Sequence, residues 1–167
     1  MTKILLSRAR QVVEAFPFPR APRPAEISLF VAAHGTGQNQ TSRDAADLLA
    51  QAASAQADYA EVGPVFLEDE PPISACYELA RSKNIVLVPF FLGDGPHVRE
   101  DIPVLLGEPK SLIEQRLKRG LPSWRNPTEK QGKRVWYAAS MGTDAAVADI
   151  IVARVQEAKA EIRSPKA

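Results

Sequence analysis

The chain has 167 residues, of which 45% are hydrophobic and 25% are charged, and its formal net charge is +1. This size suits one domain with a substantial core, and the nearly balanced charge argues against wholesale binding of nucleic acid or of a membrane surface. No apolar run approaches the roughly 20 residues of a spanning helix, and the N-terminus lacks a secretion signal. We therefore expect a cytoplasmic protein. The single cysteine, Cys76, excludes an internal disulfide and a CxxC motif, and we expect it in the core.

The first 25 residues differ in character from the rest of the chain. Residues 2–16 place apolar side chains on one helical face. Four prolines then follow between Pro17 and Pro24, a density that ends a helix and favours an extended connector. We interpret residues 1–25 as a helical arm on a stiff linker, attached to a domain of residues 26–167.

From residue 26 onward, strand-like apolar runs alternate with segments of helical periodicity. Strands are predicted over residues 27–33, 58–66, 85–92 and 134–139. Helices are predicted over residues 41–56, from Pro72 to about Ser82, and over 144–161. Because strands that alternate with helices form βαβ units, the sequence predicts an α/β fold with about four parallel strands and helices on both faces of the sheet.

Residues 107–134 interrupt this alternation and carry eight basic against three acidic side chains. A short amphipathic helix ending at Gly120 and a loop containing Trp124 are predicted there. Two interpretations stay open: a solvated insertion, or a cationic rim for a polyanionic ligand.

The chain contains two histidines, and each follows a predicted strand. His34 comes directly after the first strand, and His97 comes shortly after the third. Ligands of open α/β sheets bind beyond the carboxyl ends of the strands, so we expect the two imidazoles at one edge. The acidic run Glu68-Asp69-Glu70 follows the second strand and should reach the same edge.

Two imidazoles and a carboxylate suit an exchangeable transition metal. Imidazole binds Co, Ni, Fe and Zn, and a site with open coordination positions can release its ion again. We therefore predict His34 and His97 as metal ligands, with a carboxylate of the run Glu68-Asp69-Glu70 as their partner. The alternative is that each histidine is a satisfied structural residue at a strand end.

The loop that begins at Gly35-Thr36-Gly37 lies between a strand and a helix, as in dinucleotide-binding folds. The similarity is weak, because Gln40 stands where a third glycine is needed and the expected acidic residue is absent. Backbone N–H groups at the start of the helix can still bind a carboxylate or a phosphate.

Three blocks of sequence carry a more specific pattern. They are a strand followed by His34-Gly-Thr36, then Val65-Phe-Leu-Glu68-Asp-Glu-Pro71, then Val86-Leu-Val-Pro-Phe-Phe-Leu92-Gly-Asp-Gly-Pro-His97-Val-Arg-Glu-Asp101-Ile-Pro103. Together they resemble the class II chelatases of the sirohydrochlorin cobaltochelatase/ferrochelatase (CbiX) family. Ala139-Ser-Met-Gly-Thr143 resembles the family's final strand, so the similarity covers roughly residues 26–160.

The resemblance implies a flavodoxin-like half-chelatase that works as a homodimer in its short forms. It implies insertion of Co²⁺, or of Fe²⁺ or Ni²⁺, into the tetrapyrrole sirohydrochlorin, in cobalamin- or siroheme-type biosynthesis. The metal is then a substrate, and no organic cofactor is expected. By match of motif, His34 and His97 carry over as metal-binding and catalytic residues, with Glu68 as their acidic partner.

The expected mechanism assigns roles to further residues. One histidine accepts a pyrrole proton, and Glu68 orients a histidine or relays that proton. The acid side chains of the macrocycle are expected to meet Gly35, Thr36, Arg43 and Arg99. We expect Asp101 to be the N-cap of a helix rather than a ligand.

Two other functions remain open from the sequence. A non-catalytic module would bind the metal or the tetrapyrrole without turnover. A subunit-interaction protein on the same scaffold would use the proline-rich arm and the Trp124 loop, and it would tolerate the loss of either histidine.

Overall fold

The computed structural model describes residues 1–35 and 40–163. The strands in this part are β1 (Ile27–Ala33), β2 (Glu61–Phe66), β3 (Asn84–Pro89), β4 (Thr128–Lys130) and β5 (Lys133–Tyr137). The helices are α1 (Thr2–Ala15), α2 (Gln40–Gln56), α3 (Cys76–Leu79), α4 (Ile102–Leu105), α5 (Lys110–Lys118) and α6 (Ala146–Arg163). A π-helical turn, His97–Asp101, runs directly into α4.

The strands form one sheet in the order β2-β1-β3-β5-β4. The first four are parallel, which confirms the predicted α/β fold with a parallel sheet. The fifth strand, β4, is antiparallel to β5 and arises within residues 107–134. Gln131 and Gly132 connect β4 to β5 with positive φ angles of 49° and 72°, the conformation that a tight hairpin turn requires.

Helices cover both faces of the sheet, and β1 shows how the strands serve both. All seven residues of β1 are buried. Leu29 and Val31 pack in the cluster that also contains residues of α1 and α2, whereas Phe30 and Ala32 pack in the cluster beneath α3 and α4. A strand buried on both faces reads as a continuous apolar run, which is why its bounds could be predicted.

The N-terminal helix belongs to the core, so the expectation of an appended arm is wrong. Leu5 is fully buried, and it shares a cluster with Leu29, Val86 and Trp136 of the sheet. The Trp136 indole N–H also donates to the Phe16 carbonyl at 2.9 Å. The prolines indicated a stiff linker that separates α1 from the domain. However, the apolar face of α1 has to be shielded from water, and it packs against the sheet.

The region after β2 also departs from the predicted helix. A 3-10 turn over Ile73–Ala75 leads into α3, which ends at Leu79. Cys76 is fully buried, as expected, and burial raises the pKa of its thiol to about 12. At that pKa the thiol stays protonated near neutral pH, so Cys76 acts as a core residue.

The described helices include none with both the length and the apolar character that a membrane crossing demands.

If α1 is part of the core, then Leu5→Ala should lower the free energy of unfolding by about 2–5 kcal/mol, because it leaves a cavity against the sheet. Urea unfolding followed by circular dichroism measures this change. Lys3→Ala, an exposed position on the same helix, is the control and should change the value by less than about 0.5 kcal/mol. Equally small effects in both variants would instead support the interpretation of residues 1–25 as an appended arm.

Candidate metal site at the carboxyl edge of the sheet

The two histidines meet at the carboxyl edge of the sheet. His34 follows the last residue of β1, and His97 opens the π-helical turn after β3. Because β1 and β3 pair in parallel, both residues are delivered to the same edge. Their ring centroids lie 5.1 Å apart in an edge-to-face arrangement. The Phe91 ring stands behind them, 6.5 Å from His34 and 6.2 Å from His97.

Asp101 fixes the orientation of His97. The His97 Nδ1 lies 2.7 Å from the Asp101 carboxylate, four residues further along the chain. Asp101 does stand at the predicted N-cap position of α4, but its side chain makes no capping hydrogen bond, because the helical geometry already begins at His97. The i,i+4 spacing of a histidine and an aspartate was the available sequence signal. Because the helical turn begins at His97, residues 97 and 101 lie one turn apart and their side chains meet.

Glu68 lies beside the other histidine. The His34 carbonyl accepts the backbone N–H groups of Leu67 and Glu68 at 3.1 and 3.0 Å, which anchors the segment after β2. The Glu68 carboxylate then lies 3.8 Å from His34 Nδ1, an ion-pair distance rather than a hydrogen bond. The Gly35 carbonyl is closer to the same nitrogen, at 3.1 Å.

Among the described residues, these contacts engage Nδ1 of each histidine and leave Nε2 without a hydrogen-bond partner. An ionised carboxylate and a carbonyl oxygen only accept hydrogen bonds, so His34 and His97 each carry the proton on Nδ1. Each Nε2 then has a lone pair available for a metal ion or a proton. The side chains remain 34% and 49% exposed, so that a ligand can reach them.

Two imidazoles can bind a transition metal and leave its other coordination positions open. Over residues 1–35 and 40–163, no group of three or more His, Cys, Asp or Glu side chains is arranged to hold a metal ion. The structure thus brings His34 and His97 together, but it does not set Glu68 beside them as a third ligand. A site with two ligands holds its ion loosely.

The surface next to His97 is acidic. A groove of about 360 Å³ there contains His97 together with the carboxylates of Glu68, Glu100 and Asp101. Its floor is apolar, and Lys110 lies at one side. Three carboxylates around one groove attract a divalent cation and repel a polyanion.

Arg43 braces the loop that carries Glu68. Its guanidinium donates to the Asp69 carboxylate and to the Glu70 carbonyl, both at 2.8 Å, and it lies over the Phe66 ring at 5.1 Å. The Glu70 N–H and then the Arg43 guanidinium lower the pKa of the Asp69 carboxyl. Arg43 therefore has a structural partner where the sequence predicted a substrate contact.

Gly35 has a packing role that sequence reasoning missed. Its φ of +63° and its closeness to the same loop exclude a side chain, because an added Cβ would lie 2.8 Å from Asp69 Cβ and 2.9 Å from Phe66. Thr36, the other predicted binding residue of this loop, lies outside the described residues.

Arg99 lines a different cavity from the histidines. This cavity has a volume of about 380 Å³ and lies between the turn after β3 and residues 117–126. Its walls are mainly apolar, and Asp94 and Asn126 add polar groups. Within the described chain, no carboxylate forms an ion pair with Arg99. Residues 117–126 thus form a wall of this cavity, held in part by the ion pair between Arg116 and the buried Glu108 at 3.1 Å.

The chain is similar to known proteins in sequence and in fold. The model of the CbiX family matches residues 28–158. A relative from Halobacterium salinarum, described as a probable sirohydrochlorin cobaltochelatase, is 28% identical over 97% of this chain. The chain spans about half of that relative, 51% of its length.

Two further proteins are similar to this chain. The sirohydrochlorin cobaltochelatase of Methanopyrus kandleri is 28% identical over 81% of this chain and 99% of its own length. A solved structure of CbiX, described as the terminal enzyme for biosynthesis of siroheme in denitrifying bacteria, superposes with a TM-score of 0.65 at 20% identity, covering 94% of this chain and 57% of its own. That structure supports the fold.

Asp69 should make stability depend on acid pH. Its pKa is lower in the folded than in the unfolded chain, so its contribution is complete above the unfolded value of about 3.9 and is lost as the pH falls through the folded value. The difference in unfolding free energy between wild type and Asp69→Asn should be constant above about pH 5 and shrink below about pH 4. Urea unfolding at several pH values measures it. Asp47→Asn, which removes the longer 3.8 Å pair with Arg43, is the control. A difference in unfolding free energy that persisted at pH 2 would show that the ion pair between Arg43 and Asp69 is not its cause.

Asp101→Ala should weaken binding of Co²⁺ about 10- to 100-fold, because the hydrogen bond that holds the His97 ring and its tautomer is lost. Asp101→Asn keeps an acceptor oxygen and should lose less. Calorimetric titration with Co²⁺ gives the affinities, and Glu100→Ala, another carboxylate of the same groove, is the matched control. If the Glu100 and Asp101 substitutions had equal effects, general electrostatics rather than orientation would be responsible.

Proposed function

The chain belongs to the CbiX family, and we propose that it inserts a divalent metal ion into sirohydrochlorin or a closely related tetrapyrrole. The Halobacterium and Methanopyrus relatives, both described as sirohydrochlorin cobaltochelatases, support the substrate class. The observation that carries the proposal is the pair of imidazoles 5.1 Å apart at the carboxyl edge, where α/β folds bind their ligands.

The reaction needs groups that hold a metal ion briefly and that accept protons. When the ion enters the macrocycle, it replaces two pyrrole N–H protons, and both protons have to leave. His34 and His97 each offer an Nε2 lone pair, which can serve either purpose. A site of two imidazoles with open positions can pass its ion to the four ring nitrogens, whereas a closed site of four ligands would retain it.

The carboxylates then have distinct roles. Asp101 holds His97 in the tautomer whose Nε2 carries the lone pair, and it stabilises a positive charge on that ring. In this proposal, the Glu68 carboxylate closes the 3.8 Å to His34 Nδ1, receives a proton from His34 and releases it into the groove. Both carboxylates are more than half exposed, so a proton passed to either one can leave to water.

The acidic groove and the Arg99 cavity suit different partners. The acidic groove favours a metal cation, and it disfavours the carboxylate arms of a tetrapyrrole. The cavity with Arg99 suits such an arm, because Arg99 and Asn126 offer donors there and the Asp94 carboxylate in the same lining already accepts the Ser140 N–H. The proposal therefore keeps Arg99 as a contact of the substrate and gives Arg43 the role of holding the Glu68 loop.

The finer identity of the protein is part of the same proposal. Co²⁺ is the favoured ion, since both curated relatives carry cobaltochelatase in their names. Fe²⁺ and Ni²⁺ are also suitable, because imidazole ligands accept several ions of this series. A cytoplasmic homodimer is the expected form, and sedimentation of the purified chain measures its mass.

The decisive experiment mixes the protein, sirohydrochlorin and Co²⁺ and follows the absorption change on metallation, after subtraction of the uncatalysed rate. His34→Ala and His97→Ala should each lower the rate at least about 100-fold, since each removes a ligand or a proton acceptor. Arg154→Ala, on the distant helix α6, is the control and should retain the rate.

The other outcomes distinguish the remaining functions. Binding of Co²⁺ or sirohydrochlorin that depends on the histidines, without any rate above that of the free ion, would identify a non-catalytic binding module. Full activity in the variant that lacks both histidines would refute the assignment of the site.

A further inference from the structure

Gly142 occupies a position that no side chain can enter. It lies in a 3-10 turn, Met141–Thr143, that follows β5. A Cβ added at Gly142 would stand 2.3 Å from Cα, C and O of Leu92. Carbon atoms in ordinary contact are about 3.5–4.0 Å apart, so the two segments would have to separate by about 1 Å. The obstructing atoms belong to the backbone, which cannot rotate aside as a side chain can.

This close approach ties together the segments after β3 and β5. The Gly142 N–H donates to the Phe91 carbonyl at 2.8 Å. Two residues earlier, the Ser140 N–H donates to the Asp94 carboxylate at 3.2 Å. The turn after β5 therefore holds the segment 91–94 at two points, one on each side of Leu92.

The segment that Gly142 holds contains the ring behind both histidines. Phe91 is half-buried, and its ring lies 6.5 Å from the His34 ring and 6.2 Å from the His97 ring. A displacement of the Phe91 backbone would therefore reach both imidazoles at once. A shift of about 1 Å in such supporting groups is enough to change a site's performance by about 100-fold.

The next residue presents an apolar side chain at the same edge. Leu92 is 88% exposed, the highest exposure among the large hydrophobic residues of the described chain. Its backbone is clamped by Gly142, so this apolar surface is held in place even though its side chain packs against little. A rigid apolar surface beside a ligand site suits contact with a flat, aromatic molecule.

We propose that Gly142 is a positioning residue of the histidine site, and that Leu92 contacts the plane of the tetrapyrrole. Because Gly142 has no side chain, the turn after β5 closes on the Phe91–Leu92 segment, and Phe91 then supports the two imidazoles. The Leu92 contact rests on the proposed function. The role of Gly142 rests on the geometry of the histidines alone.

The test of Gly142 uses the whole chain with Co²⁺ as the probe. Gly142→Ala should weaken Co²⁺ binding about tenfold or more and change the visible absorption bands of the bound ion, which report its coordination geometry. Gly63→Ala in β2 is the matched control, since its Cβ would meet only the Phe30 ring at an ordinary 3.9 Å. Near-ultraviolet circular dichroism verifies that each variant is folded.

Phe91→Leu separates positioning from general damage. It removes the ring without strain on the backbone, and it should also weaken Co²⁺ binding and change the bands. If Gly142 acts through Phe91, the double variant should bind no worse than Gly142→Ala. Wild-type affinity and bands in Gly142→Ala, or independent effects that add, would overturn the proposal. Should Gly142→Ala fail to fold, Phe91→Leu decides, and unchanged binding and bands in that variant overturn it.

Leu92 is tested with metal-free sirohydrochlorin. Leu92→Ser should raise the dissociation constant of the tetrapyrrole and the KM severalfold, while Co²⁺ affinity and kcat stay within about twofold. Unchanged tetrapyrrole affinity would exclude the contact. If the wild-type protein bound the tetrapyrrole without turnover, the proposed function would fail, but the comparison of affinities would still test Leu92.

Discussion

The parallel ladder between β1 and β3 is the constraint on which the site depends. The two strands run side by side from Ile27↔Asn84 to Ala32↔Pro89, so their carboxyl ends are level. His34 follows one end directly, and His97 returns to it through a loop of seven residues and a helical turn. Parallel strands with both faces buried resist a shift in register, because a shift of one residue would move every side chain to the opposite face and out of the cluster in which it packs. The distance between the imidazoles is therefore fixed by the core.

Hydrogen bonds then fix the positions of the loops relative to the strands. The His34 carbonyl anchors the start of the Glu68 loop, and Arg43 braces the other end through Asp69 and Glu70. On the other side, the turn after β5 fixes the segment behind the histidines. Backbone groups or a neighbouring side chain hold each loop, so the backbone that carries the exposed side chains of the site is fixed in position. A site built in this way is preorganised, although its side chains remain open to solvent.

The sequence predicted the parts that depend on period and on parallel pairing. The buried strand before His34, the strand before His97 and their common edge follow from apolar runs and from βαβ alternation. It could not predict contacts that depend on where a helix begins. Aspartate is a favoured N-cap residue, but the π-helical turn that begins at His97 makes the Asp101 side chain a hydrogen-bond partner of His97. The prolines after α1 indicated separation from the domain, whereas the burial of Leu5 shows that the need to cover an apolar face outweighed them. The clamp at Gly142 has no local signal, because it needs two segments that are 50 residues apart.

The distribution of charge around His97 suggests how a loosely held ion and a polyanionic ring can share one site. Glu68, Glu100 and Asp101 line the groove at His97, and Arg99 lines a separate cavity. A cation approaching along the groove meets carboxylates before it meets the imidazoles, whereas a tetrapyrrole carrying carboxylates is repelled from that groove. In the proposed reaction, the ion would reach the imidazoles from the groove, and the carboxylate arms of the ring would be directed towards Arg99. The four nitrogens of the macrocycle outnumber the two imidazoles of the protein, which would favour transfer of the ion to the ring.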